Sequence, residues 1–264
     1  MKKSHVLKFL KMNTATLEER ESKIEIRDKK LRGEILDLRK KHRNYGGDRI
    51  FPELKVGRNR VFRVLGKYGM QLNRKRIKPF KPEDKGKPDA KVSNLLENLK
   101  VISPNTAWAS DFTYLKYENS FLYLATFIDI FSRKIVGFNV SDKHDTELIL
   151  KAFYLGAVKE KTVPYIIHSD QGSEYRSEKF TSILKYHQIS QSMSPKGYPW
   201  RNGFQESFYR GFKEDLGDIS HCKSIGEVVS RIRETINYYN TERMHTALKT
   251  SPCKFLSLYS DRTA

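Results

Sequence analysis

The spacing of hydrophobic positions predicts a mixed α/β domain from residue 101 onward. Three apolar, strand-like stretches follow one another closely at 108–115, 121–130 and 134–140, which predicts antiparallel hairpins. Helical spacing over 145–159 and 177–187 then alternates with short strand-like runs at 165–168 and 189–193. Two more helices are predicted, one around residue 206 and one over 225–239.

The order of these elements predicts the fold class. Strand, strand, strand, helix, strand, helix, strand and helix is the order of the ribonuclease H-like fold. We therefore expect a mixed five-stranded sheet with flanking helices over residues 101–264, preceded by a small helical domain.

Residues 1–70 show the pattern of short helices. An amphipathic helix is predicted over 31–42, ended by Gly46 and Gly47, and a helix capped by Asn59 is predicted to run to Tyr68 before Gly69. This is helix-turn-helix spacing, although short helices separated by glycine are also common in helical domains that do not bind DNA. As a DNA-binding region its second helix would offer four basic side chains to phosphates, namely Arg58, Arg60, Arg63 and Lys67. Residues 1–28 look helical but poorly capped.

Residues 71–100 are predicted to be a linker. The stretch 73–88 holds three prolines and seven basic residues, which disfavour a packed core and favour an extended chain. The segment could follow a phosphate backbone, or it could be a simple spacer. If it follows DNA, Arg74, Lys75 and Arg76 are the candidate contacts.

Charge divides the chain in the same way. The formal net charge is +19, and residues 1–100 carry 29 basic and 13 acidic side chains, whereas residues 101–264 carry 21 and 18. This asymmetry predicts a nucleic-acid-binding part joined to a nearly neutral catalytic or structural part. The alternative is a basic surface that only keeps the protein soluble.

Three carboxylates stand out in the second part. Asp111 opens a strand-like run, Asp170 ends another, and Glu206 lies where the pattern becomes helical. Carboxylates gathered from two strand ends and a helix indicate a divalent cation site, because like charges converge at a cost that a cation relieves. Two oxygen-ligated magnesium ions at such a site support phosphoryl transfer, the chemistry of nucleases and transposases.

Other site classes are not favoured. The two cysteines, Cys222 and Cys253, are too few for a four-cysteine zinc site and have no CxxC spacing. The longest apolar stretch, 121–131, is interrupted by Asp129, so we expect no membrane segment and a soluble, cytoplasmic protein.

Five ordered motifs stand out in the second part of the chain. They are WASDFTY at 108–114, FIDIFSR at 127–133, HSDQGSEY at 168–175, ESF at 206–208, and YNTERMH at 239–245 followed by Ser251 and Pro252. Together they resemble the integrase core of bacterial insertion-sequence transposases, and more closely the OrfB component of the IS-three-type group, over about residues 32–256. Where many relatives carry Asp-Asn-Ala before the Glu motif, this chain has Trp200-Arg-Asn-Gly, which adds Arg201 as a candidate DNA contact.

The resemblance implies a retroviral-integrase-like (DDE) catalytic site. Asp111, Asp170 and Glu206 correspond to its two aspartates and its glutamate, with Mg²⁺, or Mn²⁺ as a substitute, as the cofactor. Lys213 lies seven residues after Glu206, about 700° of helical rotation, and so faces the same side; the family's basic residue at this spacing is suggested to contact the phosphate beside the scissile one. Its alternative is a solvent-facing lysine.

Several neighbouring residues fit structural roles. We expect Asp129 to cap a turn or form an ion pair rather than bind metal, Glu174 to order its loop, and His168 to pack behind the site. Phe208 and Tyr209 fit either a core or a stacking platform, and the loop 196–200 could stack on unpaired bases.

Two functions from different classes remain. The first is a metal-dependent transposase that acts on transposon-end and target DNA, expected to be a homo-oligomer on DNA. The second is a DNA-binding regulator that has the fold but is inactive without another polypeptide. The resemblance also implies a partner, either an upstream-frame OrfA protein or a frameshift fusion with it.

Overall fold

The computed structural model describes residues 14–72, 92–97, 99–194 and 203–263. It divides the chain into two compact units, residues 1–76 and 77–264. Most of the predicted linker, 73–91, lies outside the described residues. None of the helices in the described ranges is both long and apolar enough to cross a membrane.

Within residues 14–72, the first unit contains three helices, α1 (Thr14–Lys41), α2 (Gly47–Glu53) and α3 (Arg58–Lys67). Helix α1 joins part of the helical-looking stretch 1–28 to the helix predicted over 31–42, because residues 14–30 contain no glycine or proline to interrupt it. Asn59 is not the cap of α3, which Gly57 precedes, whereas Gly69 does end the helix with a left-handed φ of 61°. A small core of fully buried side chains joins the three helices; it includes Leu31, Ile35, Ile50, Val61 and Val64.

An ion pair between a buried carboxylate and half-exposed basic side chains also ties α3 to α1. Asp28 is 0% exposed, and its two carboxylate oxygens accept hydrogen bonds from Arg63 at 2.6 and 2.8 Å. The Lys67 ammonium lies 3.8 Å from the same carboxylate. Because an unpaired buried carboxylate is costly, these two cations stabilise the packing of the unit.

The second unit is built on a five-stranded sheet of order β3-β2-β1-β4-β5. The strands are β1 (Ala107–Tyr117), β2 (Ser120–Asp129), β3 (Ile135–Ser141), β4 (Ile166–Ser169) and β5 (Ser190–Met193). The first three pair antiparallel, as predicted, and β4 and β5 add in parallel to β1.

Helices cover both faces of the sheet. They are α4 (Thr146–Glu160), α5 (Ser173–Arg176), α6 (Glu178–Tyr186), α7 (Gly203–Leu216), α8 (Ile225–Thr241) and α9 (Pro252–Thr263). Side-chain caps begin three of them: Asp145 accepts from Leu148 N, and Ser177 and Ser224 cap α6 and α8. The predicted mixed sheet with flanking helices is confirmed, and α9, which the sequence pattern did not predict, packs its Phe255 and Tyr259 rings on Phe131.

Two hydrophobic cores lie on opposite faces of the sheet. One packs α7 and α8 against side chains such as Leu115, Leu124 and Ile128. The other packs α4 and α6 around Trp108, whose Nε1 donates to Asn105 Oδ1 at 2.9 Å. Residues 92–97, within the predicted linker, also reach this unit, since Leu95 N donates to Ser192 Oγ at 2.9 Å.

Gly137 allows the backbones of β3 and α4 to touch. A Cβ at this position would lie 2.1 Å from the Ala152 carbonyl oxygen and 2.8 Å from Gly156 N, both backbone atoms. We expect Gly137→Ala to lower the free energy of unfolding by about 3 kcal/mol or more, measured by urea denaturation, because neither backbone can yield locally. Gly226→Ala is the control, since its Cβ would meet nothing closer than Ser224 Oγ at 3.7 Å; equal stability of the two variants would contradict this close approach.

Candidate active site

Asp111 lies within β1, and Asp170 directly follows the carboxyl end of the parallel strand β4, which is paired with β1. The ladder between β1 and β4 pairs Ala109 with His168, and Asp111 and Asp170 lie two residues further along each chain. Because side chains alternate along a strand, both carboxylates leave the same face, on chains about 4.8 Å apart. Asp170 is exposed, and Asp111 is half-buried.

The electrostatics of Asp111 reflect this closeness. Burial and the negative charge of Asp170 raise the pKa of Asp111 to about 7, against the opposing hydrogen bond from Phe112 N at 2.8 Å. Asp170 Oδ1 accepts from Gly172 N at 2.9 Å, which orders the turn after β4. Two adjacent carboxylates that disfavour joint ionisation are the donor set expected for a hard divalent cation.

Glu206 lies on α7, and its backbone is described although its side chain is not. The helix is held against the strand of Asp111 on both sides of Glu206. Gln205 Nε2 donates to the Ala109 carbonyl at 2.6 Å, and the Tyr209 hydroxyl donates to the Asp111 carbonyl at 2.6 Å. Among the described side chains, no group of three or more His, Cys, Asp or Glu residues is placed to hold a metal, so the third carboxylate of the predicted triad stays a prediction.

Buried hydroxyl groups lie around Asp111 and its neighbour in β1. The Tyr175 hydroxyl lies 2.9 Å from Ser110 Oγ, next to Asp111 in the chain. Burial and the charge of Asp111 raise the pKa values of Tyr175 and Tyr209 well above their ordinary value, so both phenols stay protonated. Gln205 and Thr126 also contribute here and were not predicted from the sequence. For Gln205 the sequence did offer a signal, namely a glutamine on the apolar side of a helix.

Other residues near the strand ends have structural roles, as expected. The buried Asp129 carboxylate accepts from Asn105 N at 2.9 Å and from Ser132 N at 2.8 Å, so it caps the turn after β2. His168 is fully buried, with its ring nitrogens 2.8 Å from Ser192 Oγ and 2.9 Å from Ser194 Oγ. It therefore joins β4 to the end of β5.

Glu174 and the aromatic pair after Glu206 are also placed. The Glu174 carboxylate lies 3.1 Å from His144 Nδ1, which holds its loop near the start of α4. Phe208 and Tyr209 are 4% and 6% exposed and belong to the core beneath α7, which decides between the two roles left open for them.

Lys213 is on the exposed side of α7. Its ammonium lies 4.8 Å from the centre of the Tyr114 ring, a cation–π contact, and partial burial lowers its pKa. Arg243, which follows the end of α8, is buried and forms an ion pair with Asp215 on α7. This pair holds α7 against the segment that follows α8. Arg201 and the loop 196–200 lie outside the described residues.

The basic side chains of the first unit are partly engaged within it. Arg63 and Lys67 face Asp28, and Arg60 donates to the Arg27 carbonyl at 2.8 Å. Arg58 lies over the Phe62 ring at 4.6 Å and 3.5 Å from the Asp48 carboxylate. DNA contact by these four residues stays a prediction, and Arg74, Lys75 and Arg76 lie outside the described residues.

Similarity to known proteins agrees with the fold. Two family models described as integrase core domains match residues 103–199 and 187–252. Among solved structures, the catalytic core domain of the HTLV-2 integrase in complex with magnesium (trimeric form) has a TM-score of 0.50 at 19% identity. That match covers 59% of this chain and 99% of the other, and it supports the ribonuclease H-like fold.

Sequence relatives extend the similarity to both units. The transposase for insertion sequence element IS904 of Lactococcus lactis subsp. lactis (strain IL1403) is 34% identical over 231 residues, covering 80% of this chain and 91% of the relative. The transposase InsF for insertion sequence IS3fB of Escherichia coli (strain K12) is 34% identical over 163 residues, covering 58% of this chain and 54% of that protein. The chain therefore belongs to the insertion-sequence transposases that carry an integrase core domain.

Proposed function

We propose that this chain is a DDE transposase that cleaves phosphodiester bonds at the ends of an insertion sequence and joins the freed 3′ hydroxyl to target DNA. The observation that carries the proposal is the pair of Asp111, within β1, and Asp170, just after the parallel strand β4, beside the helix that bears Glu206. The family membership supports the same chemistry.

The residues present fit a divalent cation. Asp111 and Asp170 supply hard oxygen donors, and the raised pKa of Asp111 indicates negative charge that a cation would relieve. Glu206 would complete the set, and two Mg²⁺ ions held there, or Mn²⁺ in their place, would activate first a water and then the 3′ hydroxyl for in-line attack.

The remaining roles belong to the protein. Asp111 and Asp170 would hold the cations that contact the reacting phosphate. Lys213 would bind the phosphate beside the scissile one. The partners are transposon-end DNA and target DNA, bound by a homo-oligomer of this chain. We also propose an upstream-frame OrfA protein, or a frameshift fusion with it, as the source of end recognition.

The proposal is tested by a joining assay on DNA that carries the ends of the element. We expect cleaved and joined products with Mg²⁺ and with Mn²⁺ but not with Ca²⁺, because Ca²⁺ favours larger, more flexible coordination that does not support turnover. If DNA is bound but never cut under any of the three cations, with OrfA supplied, the chain is instead a DNA-binding regulator.

Lys213 gives a second test of the same function. We expect Lys213→Ala to reduce strand transfer and end binding while Mn²⁺ affinity is unchanged, and Lys213→Arg to be largely tolerated, because a phosphate contact needs charge and reach. Lys159→Ala is the charge-matched control, because Lys159 is an exposed lysine on α4, which packs on the other face of the sheet. Normal joining by Lys213→Ala would refute the contact.

A further inference from the structure

Gln205 is a polar side chain with no exposure to solvent at the base of α7. Its amide is fully used between the first two strands. Nε2 donates to the Ala109 carbonyl at 2.6 Å and to the Thr126 carbonyl at 3.3 Å, and Oε1 accepts from Thr126 Oγ1 at 3.1 Å. A buried amide satisfied in this way is costly to lose and specifies one arrangement of the groups around it.

Tyr209, one turn further along α7, completes the same network. Its hydroxyl donates to the Asp111 carbonyl at 2.6 Å and lies 2.9 Å from Thr126 Oγ1. Thr126 is the residue of β2 that pairs with Asp111 in the sheet register, so its hydroxyl sits between the two helix residues and the strand of Asp111. We call Gln205, Tyr209 and Thr126 the α7 clasp.

Apolar packing alone would not define the position and rotation of α7 relative to β1. Phe208, Phe212 and Leu216 bury their side chains in the core beneath the helix, but such contacts have no directional preference. A shift by one residue moves a helix by about 1.5 Å and turns it by about 100°, enough to remove a carboxylate from a metal site. The carbonyls of Ala109 and Asp111, by contrast, are fixed points that accept only from donors placed correctly.

We propose that Gln205, aided by Tyr209 and Thr126, is a positioning residue that sets the height and rotation of α7 so that Glu206 meets Asp111 and Asp170. Glu206 directly follows Gln205 and precedes Tyr209, so the hydrogen bonds of the α7 clasp fix the helix on both sides of Glu206. The inference rests on the proposed function, because it assigns a metal-binding purpose to the position of Glu206.

The test measures Mn²⁺ affinity of the full chain without DNA, by calorimetry and by the electron paramagnetic resonance signal of the free ion. We expect Gln205→Met, which keeps the length but removes the amide, to weaken Mn²⁺ binding about tenfold or more, as loss of groups that orient metal ligands commonly does. End cleavage should fall in kcat with little change in KM for DNA.

Phe212→Leu is the matched control on the same helix. Its ring is 1% exposed in the same core, so the change should lower the melting temperature without touching the clasp. A merely structural Gln205 would behave like Phe212→Leu, losing stability while keeping Mn²⁺ affinity. If Gln205→Met does not fold, Tyr209→Phe removes only the hydroxyl, and a few-fold loss of Mn²⁺ affinity is expected from it.

Glu206→Gln separates this inference from the function on which it rests. In the Glu206→Gln background, Gln205→Met or Tyr209→Phe should weaken Mn²⁺ binding no further, because the carboxylate that the clasp positions is gone. Wild-type affinity for Mn²⁺ that does not depend on Glu206 would count against the proposed function. Affinity that depends on Glu206 but not on Gln205 or Tyr209 would overturn the positioning role alone.

Discussion

Replacing Asp111 or Asp170 by Asn, or Glu206 by Gln, is expected to abolish cleavage and joining of end-containing DNA. Each change keeps the shape of the side chain and removes a charge that the cations need. Since metal stabilisation of the transition state is worth several kcal/mol, a loss of about a thousandfold or more is expected in a gel assay with Mg²⁺.

Folding and DNA binding should survive these changes. The melting temperature of Asp111→Asn without metal should not fall, because the raised pKa of Asp111 shows that its charge is disfavoured in the folded protein. Asp142→Asn is the matched control, an exposed aspartate at the end of β3 whose loss should leave activity unchanged. Cutting by any one of the three triad variants at the wild-type rate would remove that residue from the site.

Removal of residues 1–90 is expected to leave a folded core that binds DNA far more weakly. The first hundred residues hold 29 basic against 13 acidic side chains, and the chain divides into two units between residues 76 and 77. The slope of log affinity against log salt should flatten by about 0.9 for each phosphate that the shortened chain no longer neutralises, which a titration by fluorescence anisotropy measures.

A double variant, Arg58→Ala with Arg60→Ala, checks the origin of that slope within the full chain. Neither residue pairs with the buried Asp28, so the first unit should keep its fold while part of the salt dependence disappears. Arg63→Ala should instead lower the melting temperature, because it leaves Asp28 short of its bidentate partner. Equal salt slopes for the full and truncated chains would exclude a DNA-binding role of the N-terminal unit.

The sequence pattern was a good guide wherever a local rule decided the structure. Apolar runs predicted the five strands of the sheet within a few positions, and helical spacing placed the starts of α4 and α6 at Asp145 and Ser177, which the structure shows to be their caps. The pattern indicated helix within residues 1–28 but did not show that it continues into the helix predicted over 31–42, because the charged first half of α1 has no apolar stripe. It was also a poor guide to the start of α3, where Gly57 rather than Asn59 precedes the helix.

The site was predictable only in part, because its contacts join distant segments. Local context singled out Asp111, which opens a strand-like run, and Asp170, which ends one, and the pairing of β1 with β4 brings their chains side by side. No local rule could show that Gln205 would reach the Ala109 carbonyl or that Thr126 would face Tyr209, since these bonds depend on how α7 crosses the sheet. The Arg63 pair with Asp28 was missed for the same reason, because a basic helix face looks alike whether it meets a carboxylate or a phosphate.

The long sequence separation between the α7 clasp and its acceptors in β1 also affects when the fold can be completed during synthesis of the chain. Strands β1 to β3 can pair as they emerge, but Gln205 and Tyr209 meet β1 across 96 and 98 residues. At bacterial rates of translation that separation corresponds to about 5 to 20 s. Until α7 has emerged and docked, the nascent chain carries Asp111 and Asp170 without Glu206, so under the proposed function a partly made chain would have no complete site with which to cut DNA.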